Sequence, residues 1–490
     1  MTETAPAPPA PFDVAVIGAG VVGTAIAREL SHFRLRTVLL EGADDVGTGT
    51  SKANTAIWHT GFDAAVGSLE GRLLRRGHQL LGAYAGRTGI PVERVGALLV
   101  AWSDEEAARL PTILADARRA GHRNVRAVGT DELPRLEPEL GPGARGGLLV
   151  PDEGILCPFT TPLAFATEAV VNGVELRLGT SVVGAAPGPA AHRLLTTAGP
   201  VDARHVVNAA GLEADTIDAL FGRRRFTVAP RRGQLVVFDT WAARLLGRIL
   251  LPVPGRSGKG VLIAPTVFGN VVLGPTAEPL GDRRDTRSTV EGVDALLRRG
   301  RRVLPRLLEE EVTAVYAGLR AATEHRDYQI DDDPGLRYVV VGGIRSTGVS
   351  SSMAIAEHVR DRLQAMGLPL RPAPDHEEVR MASLGERQLR SHRDGAAIAA
   401  DPDAGRIVCH CERVTRAECL AACRAPVPAR SLDGLRRRTR AMLGRCQGFH
   451  CSAAVVGLLA EATGRSPSSL VAPSRGERRG PGPGAPGHAE

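Results

Sequence analysis

Four cysteines near the end of the chain are spaced to hold a metal: Cys409-His-Cys411 and, further on, Cys446-Gln-Gly-Phe-His-Cys451. Six of the seven cysteines lie from Cys409 onward, and everything before them contains only Cys157. Four thiolates bind zinc or iron, and a thiol set this segregated marks a small module with its own chemistry. At the other end, Gly18-Ala-Gly20-Val-Val-Gly23 follows an apolar run, residues 13–17, and precedes a helical stretch, residues 24–32. A second β-like run, residues 37–40, ends at Glu41. In that context the glycines permit a tight turn and close approach of backbone to a pyrophosphate. The helix N-terminus adds partial positive charge, and Glu41 accepts ribose hydroxyls. The pattern is weak without its context. It recurs at Gly141/Gly143/Gly146, with no strand before it or helix after it, and at Gly482/Gly484/Gly487, in a Gly/Pro-rich tail.

The turn itself suits either FAD or NAD, and the later segments favour a flavin. Gly47-Thr-Gly-Thr50-Ser51-Lys52-Ala-Asn54 is small and polar, suited to wrapping phosphates and a ribityl chain. Residues 341–352, with Gly343 and Gly348, read as strand, glycine turn and helix, which brings N–H groups and a helix dipole to the pyrimidine edge. Residues 206–211 end at Gly211, a strand-glycine segment suited to the adenine side.

A flavin that oxidises an alcohol needs a base, a positioned C–H and a clamp for the substrate's charge. His59, directly after the wrapping segment, is the candidate base, with His325 as its rival. Arg320 and Arg345 are candidate bidentate clamps for a carboxylate or phosphate. The chain has only two lysines, Lys52 and Lys259, among 61 basic residues. Lysine in an arginine-using chain suggests a required compact ammonium, at a phosphate or near flavin N1. Cys419 and Cys423 read as core thiols on a helix. Arg436 to Arg440 read as a solvated face, a tuner of the cluster potential or a dock for an acidic carrier.

With these residues in view, the chain resembles FAD-dependent oxidoreductases of the D-amino-acid-oxidase superfamily. It is most similar to the branch holding anaerobic-type glycerol-3-phosphate dehydrogenases and L-2-hydroxyglutarate dehydrogenases. The resemblance spans residues 12–365 and rests on Thr50-Ser-Lys-Ala-Asn54, Ile57-Trp-His-Thr-Gly61, Pro230-Arg-Arg-Gly-Gln234, Lys259-Gly-Val-Leu-Ile-Ala-Pro265 and Ala317-Gly-Leu-Arg-Ala321. Around the cysteines, Ile407-Val-Cys-His-Cys-Glu-Arg-Val-Thr415 and residues 437–448 are similar to the bacterioferritin-associated-ferredoxin-like [2Fe–2S] module. The CxC…CxxxxC spacing differs both from paired CxxC zinc knuckles and from plant-type ferredoxins.

The resemblance implies a dehydrogenase that turns the secondary alcohol of a small anionic metabolite, glycerol 3-phosphate or a 2-hydroxy acid, into the ketone. Electrons then pass from FAD through the cluster to a quinone or a redox protein subunit. Two other readings stand beside it: oxidation of an amine, amino acid or opine, and a non-catalytic electron-relay subunit.

The elements that must position these residues are legible as a βαβ start followed by strand-rich middle segments. The expected fold class is α/β: a Rossmann-like FAD-binding domain interleaved with an α+β substrate-cap sheet, plus a small C-terminal [2Fe–2S] domain. The expected boundaries are a disordered tail at 1–11, FAD and cap domains at 12–369 with the cap at roughly 80–150 and 220–320, a linker at 370–404, the cluster domain at 405–465 and a disordered tail at 466–490. The net charge of +7 comes with scattered arginines and only 3% aromatics, which excludes a basic, base-stacking nucleic-acid strip. No apolar run reaches the ~20 residues of a membrane helix, and the Pro/Ala-rich start lacks a basic n-region. A cytoplasmic protein with at most peripheral membrane association is expected.

Overall fold

The computed structural model describes residues 10–255 and 260–471. Lys259, the third GxGxxG match and most of the two expected tails lie outside the described residues.

The first strand, Phe12–Ile17, pairs in parallel with Thr37–Leu40 on one side and Val201–Asn208 on the other. Val14 and Val16 enter one core, Ala15 and Ile17 the opposite one. Burial on both faces is why these strands read as unbroken apolar runs rather than alternating ones. Tyr338–Gly342 joins Val201–Asn208 in parallel and completes the nucleotide half of an eight-stranded mixed sheet. Helices Val21–Ser31, Thr160–Val171 and Gly348–Ala365 pack together over one face. Leu69–Thr88 lies against Gly348–Ala365, where a Cβ on Gly77 would fall 2.3 Å from the Ser350 carbonyl oxygen.

A second sheet of nine strands draws on two stretches of chain, Ala97 to Val150 and Arg231 to Arg320. Its pairings are antiparallel except that Ile249–Pro252 runs parallel to Ala97–Ala101. Its longest pairing, Arg231–Phe238 with Val312–Arg320, sets Arg231 opposite Arg320 at the edge facing the first sheet. The interleaved α/β architecture expected from the sequence is the one observed.

Residues 370–404 differ from a loose linker. Phe33 bridges Pro372, Met381 N–H donates to the Thr88 carbonyl, and Glu386 N–H donates to that of Val267. Leu384 is buried in the cap core. One apolar anchor and a series of backbone hydrogen bonds hold a polar segment flat, an arrangement that composition does not reveal. The C-terminal module has its own core, built from Cys409, Val414, Leu435, Val455, Leu459 and neighbours. It extends past the expected limit, because Pro467–Val471 is helical and buries Leu470 in that core. Among the described residues no helix is long and apolar enough to cross a membrane.

Candidate functional site

The glycine turn is tight by necessity. Gly18 has φ +100°, and a Cβ there would lie 2.6 Å from the Ala209 carbonyl oxygen. A Cβ on Gly23 would lie 1.8 Å from the Gly18 carbonyl oxygen, so helix and turn touch backbone to backbone. Glu41 accepts from Ala19 N–H at 2.7 Å and from Ala43 N–H at 2.9 Å. Burial raises its carboxyl above the usual value, against those backbone donors. Ser51 Oγ accepts from Val21 N–H at 2.9 Å, tying the wrapping segment to the helix start.

A cavity of about 1150 Å³ runs from this turn to the underside of the cap. Gly18, Gly20, Glu41, Thr50, Ser51 and Asn54 line one end; His59, Gly211, Arg320, Gly343, Arg345 and Gly348 line the remainder. Gly23 stands one turn behind. The cradle fits an FAD: bare glycine turns, two helix N-termini and a buried acid face the same long cavity. Thr50 and Asn54 serve the wrapping loop itself. Thr50 Oγ1 donates to the Leu319 carbonyl at 2.7 Å, and Asn54 bonds Ser51 and Ala56. Gly23→Ala forces the helix off the turn. We expect a cost of ~1–3 kcal/mol in FAD affinity, about ten- to a hundredfold weaker binding, read by flavin absorbance per protein after gel filtration.

His59 is held between two carboxylates that the sequence reading missed. Nδ1 lies 2.8 Å from Glu153 Oε1, and Nε2 lies 3.1 Å from Asp63 Oδ1. Glu153 is fully buried, and the same oxygen accepts from Thr60 N–H at 2.8 Å and Thr60 Oγ1 at 2.6 Å. Burial pushes its carboxyl up, but the charge and hydrogen bond of His59, with the Thr60 donors, hold it below the usual range. Asp63, four residues after His59, was open to detection by spacing; Glu153 was not.

The two arginine candidates separate. Arg345 already pairs with Glu70 at 2.7 Å, and Glu70 also accepts from Thr347 Oγ1 at 2.7 Å. Arg320 donates to the Thr276 carbonyl at 3.2 Å and has no carboxylate partner among the described residues. Burial, then the charge of Arg231, lower its pKa. His325 is exposed, lies near Glu324, and does not line the cavity.

Lys52 is not at the cavity. Its Nζ lies 3.1 Å from Asp433 Oδ2, on the C-terminal module. Nor are Arg437, Arg438 and Arg440 solvated: all three are buried between module and flavin domain. Arg438 donates bidentately to Asp45 at 2.6 Å on each oxygen, and Arg437 donates to Asp45 Oδ2 at 2.6 Å. Arg440 lies 3.8 Å over the Phe268 ring of the cap and donates to Glu412 at 2.6 Å. Their partners are distant in sequence, so the run looked like an open face.

In the module, Cys411 lies beside Cys446, and Cys451 beside Cys409. The His450, Gly448 and Phe449 N–H groups donate to Cys446 and pull its thiol below the usual value. Backbone donors aimed at sulfur suit an iron–sulfur ligand loop. Gly444 leaves no room for a side chain, since its Cβ would lie 2.3 Å from Cys411 Cβ. Cys419 is buried in the core and burial pushes its thiol up to about 12; Cys423 is half-buried and also raised.

Among the described residues His32, Glu168 and His376 have ligating atoms within 4.8 Å of one another. Arg28 Nε already sits 2.7 Å from Glu168 Oε1, and the two rings stack at 3.9 Å. A guanidinium stands where a metal would go.

Residues 13–362 match the model of the FAD dependent oxidoreductase family, and residues 407–461 that of the BFD-like [2Fe-2S] binding domain. The chain belongs to the FAD dependent oxidoreductases. The oxidoreductase is 35% identical to a glycerol 3-phosphate dehydrogenase of Caloramator mitchellensis, over 92% of this chain and 95% of that protein. It is 27% identical to one of the subunits of the anaerobic glycerol-3-phosphate dehydrogenase of Escherichia coli K12, over 91% and 88%. Among solved structures, the FAD-bound L-alpha-glycerophosphate oxidase of Mycoplasma pneumoniae aligns with a TM-score of 0.71 at 26% identity, over 76% of this chain and 98% of that one. The oxidoreductase therefore carries FAD in its first domain and a [2Fe–2S] cluster in its second.

Proposed function

We propose that the enzyme oxidises the secondary alcohol of glycerol 3-phosphate to the ketone. We further propose that Cys409, Cys411, Cys446 and Cys451 hold the cluster through which electrons leave, singly, to a partner protein or quinone. The observation that carries the reading is Arg320, a largely buried guanidinium without a carboxylate partner among the described residues, lining the same cavity as His59. A buried cation with no counter-ion is costly, and an anionic substrate group would complete it. Bidentate hydrogen bonding suits a phosphate or carboxylate equally. The phosphate is favoured because relatives that align over more than nine-tenths of the chain carry glycerol 3-phosphate in their names (92% and 91% of this chain).

Bound FAD supplies a hydride acceptor and nothing else in the site need be redox-active. His59 takes the hydroxyl proton at Nε2, the nitrogen now facing Asp63, while Glu153 fixes the ring through Nδ1. The cap closes the cavity and limits water. On this reading the enzyme works in the cytoplasm, with any membrane contact made peripherally or through a partner.

Anaerobic mixing with glycerol 3-phosphate, L-2-hydroxyglutarate and amino acids tests the reading by flavin bleaching. Rapid bleaching by glycerol 3-phosphate alone is expected. Bleaching only by an amino acid sinks the alcohol reading, and bleaching by none points to an electron-relay role. Arg320→Ala should lower kcat/KM for glycerol 3-phosphate by ~2–5 kcal/mol, about thirty- to several-thousand-fold.

A further inference from the structure

Of the three tryptophans, Trp58 and Trp102 are buried, whereas Trp241 is 67% exposed. Phe449, in the loop between Cys446 and Cys451, is 85% exposed. Both are unusual in a chain with 3% aromatics. Trp241 walls a groove of about 280 Å³ that also holds four acids, Asp239, Glu309, Glu310 and Glu311. Two arginines answer them: Arg244 pairs with Glu310 at 2.6 Å, and Arg445 with Asp239 and Glu311 at 3.2 Å each. Glu309 has no ion-pair partner among the described residues. The groove is therefore acidic by two charges on a chain whose net charge is +7.

Its position ties it to the cluster module. Arg445, the groove's inner wall, immediately precedes Cys446, and Cys411 beside Cys446 is exposed. On the other flank the module is sealed against its own chain by Asp45, Arg437 and Arg438. Cys411, Phe449 and Trp241 remain exposed, and Arg445 joins the acid groove to the Cys446 loop.

We propose that this face docks a protein electron acceptor, one that places a basic side chain in the acid groove and an apolar rim against Trp241 and Phe449. The inference rests on the reading that the four cysteines hold the cluster. A cation entering the groove meets both the carboxylates and the indole face, and exposed aromatics beside a charged rim are the composition of an interface centre. A second copy of the chain is a poorer occupant. It would have to bring a different surface to the groove, a head-to-tail contact that builds open filaments rather than a closed dimer. Docking breaks no covalent bond; the acceptor gains one electron per encounter and the holoenzyme loses one.

The test uses holoenzyme reduced by dithionite, so that it is independent of substrate identity, and oxidised cytochrome c as the basic probe protein in stopped flow. Variants are Trp241→Ala with Glu309→Gln, and Phe449→Ala; the EPR signal of the cluster is the folding control. With that signal intact, the second-order rate should fall about tenfold in each variant and about tenfold on raising salt from low to high. Reduction of a small neutral quinone should stay unchanged in the Trp241→Ala/Glu309→Gln variant. Rates within twofold of the unmodified protein, or rates that rise with salt, overturn the proposal. So does a dimer of the unmodified protein, seen by sedimentation, that these substitutions dissociate. Absence of a [2Fe–2S] signal in the unmodified protein removes the cluster reading itself.

Discussion

Asp45→Ala should release the C-terminal module from the flavin domain while leaving each folded. Asp45 is buried and neutralises two buried guanidiniums, Arg437 and Arg438, through three hydrogen bonds of 2.6 Å. Removing one partner of a buried pair leaves uncompensated charge, at a cost of ~3–5 kcal/mol. The docked-to-undocked ratio then falls by about a hundred- to several-thousandfold. Asp45 lies four residues beyond Glu41, in the stretch leading to the flavin-wrapping loop, so the clasp holds the module against the cofactor's own binding segment. Flavin reduction by substrate should persist, and reduction of the cluster that follows it should slow by orders of magnitude. Rapid-scan absorbance separates the two phases, and hydrogen exchange over 370–404 reports undocking. Equal cluster-reduction rates in variant and parent would refute the clasp. Burial raises the Asp45 carboxyl, but the Arg438 hydrogen bond and the charges of both arginines outweigh it and hold it below the usual range. Its stabilisation is thus fully present above the ordinary Asp value of ~3.9 and is lost only as pH falls through the lower folded value. Near-neutral pH changes should leave docking untouched.

Glu153→Gln should cut turnover by about 10²–10⁴. The Glu153 carboxylate, 2.8 Å from His59 Nδ1, orients the ring and fixes its tautomer. With that charge gone, the ring stands in a less fixed tautomer and is a poorer proton acceptor. Gln keeps the size and an acceptor oxygen for Thr60, so folding and flavin absorbance should hold. A variant with the parent's turnover would show that Glu153 serves packing alone. On the proposed reading Glu153 positions the ring and His59 faces substrate.

The sequence made the framework legible where chemistry is local. The glycine turn, the strand before it and the acid after the next strand lie within thirty residues, so one segment carries its own context. The cysteines are likewise read by spacing. What escaped was whatever depends on distant chain: Glu153 stands 94 residues from His59, and Asp45 stands 393 from Arg438. Lys52 illustrates the failure. Its rarity suggests a phosphate or flavin partner, whereas the structure pairs it with Asp433 across the interface. Charged side chains declare that they need a counter-charge, and a one-dimensional reading supplies the nearest plausible one. Residues 370–404 show a complementary limit, since many of the bonds that hold them run through backbone groups, which composition does not reveal.

The interleaving of the two sheets bears on how the protein is made. Val201–Asn208 cannot gain its second parallel neighbour until Tyr338–Gly342 has been synthesised, and Arg231–Phe238 waits for Val312–Arg320. Pairings this far apart fold slowly and stay exposed meanwhile. The module's core, by contrast, comes from Cys409 to Leu470, one contiguous stretch that emerges after both sheets. By then Asp45 and the cap surface are complete. The order of synthesis makes the flavin half the template on which the nascent iron half is received, rather than two halves meeting as equals.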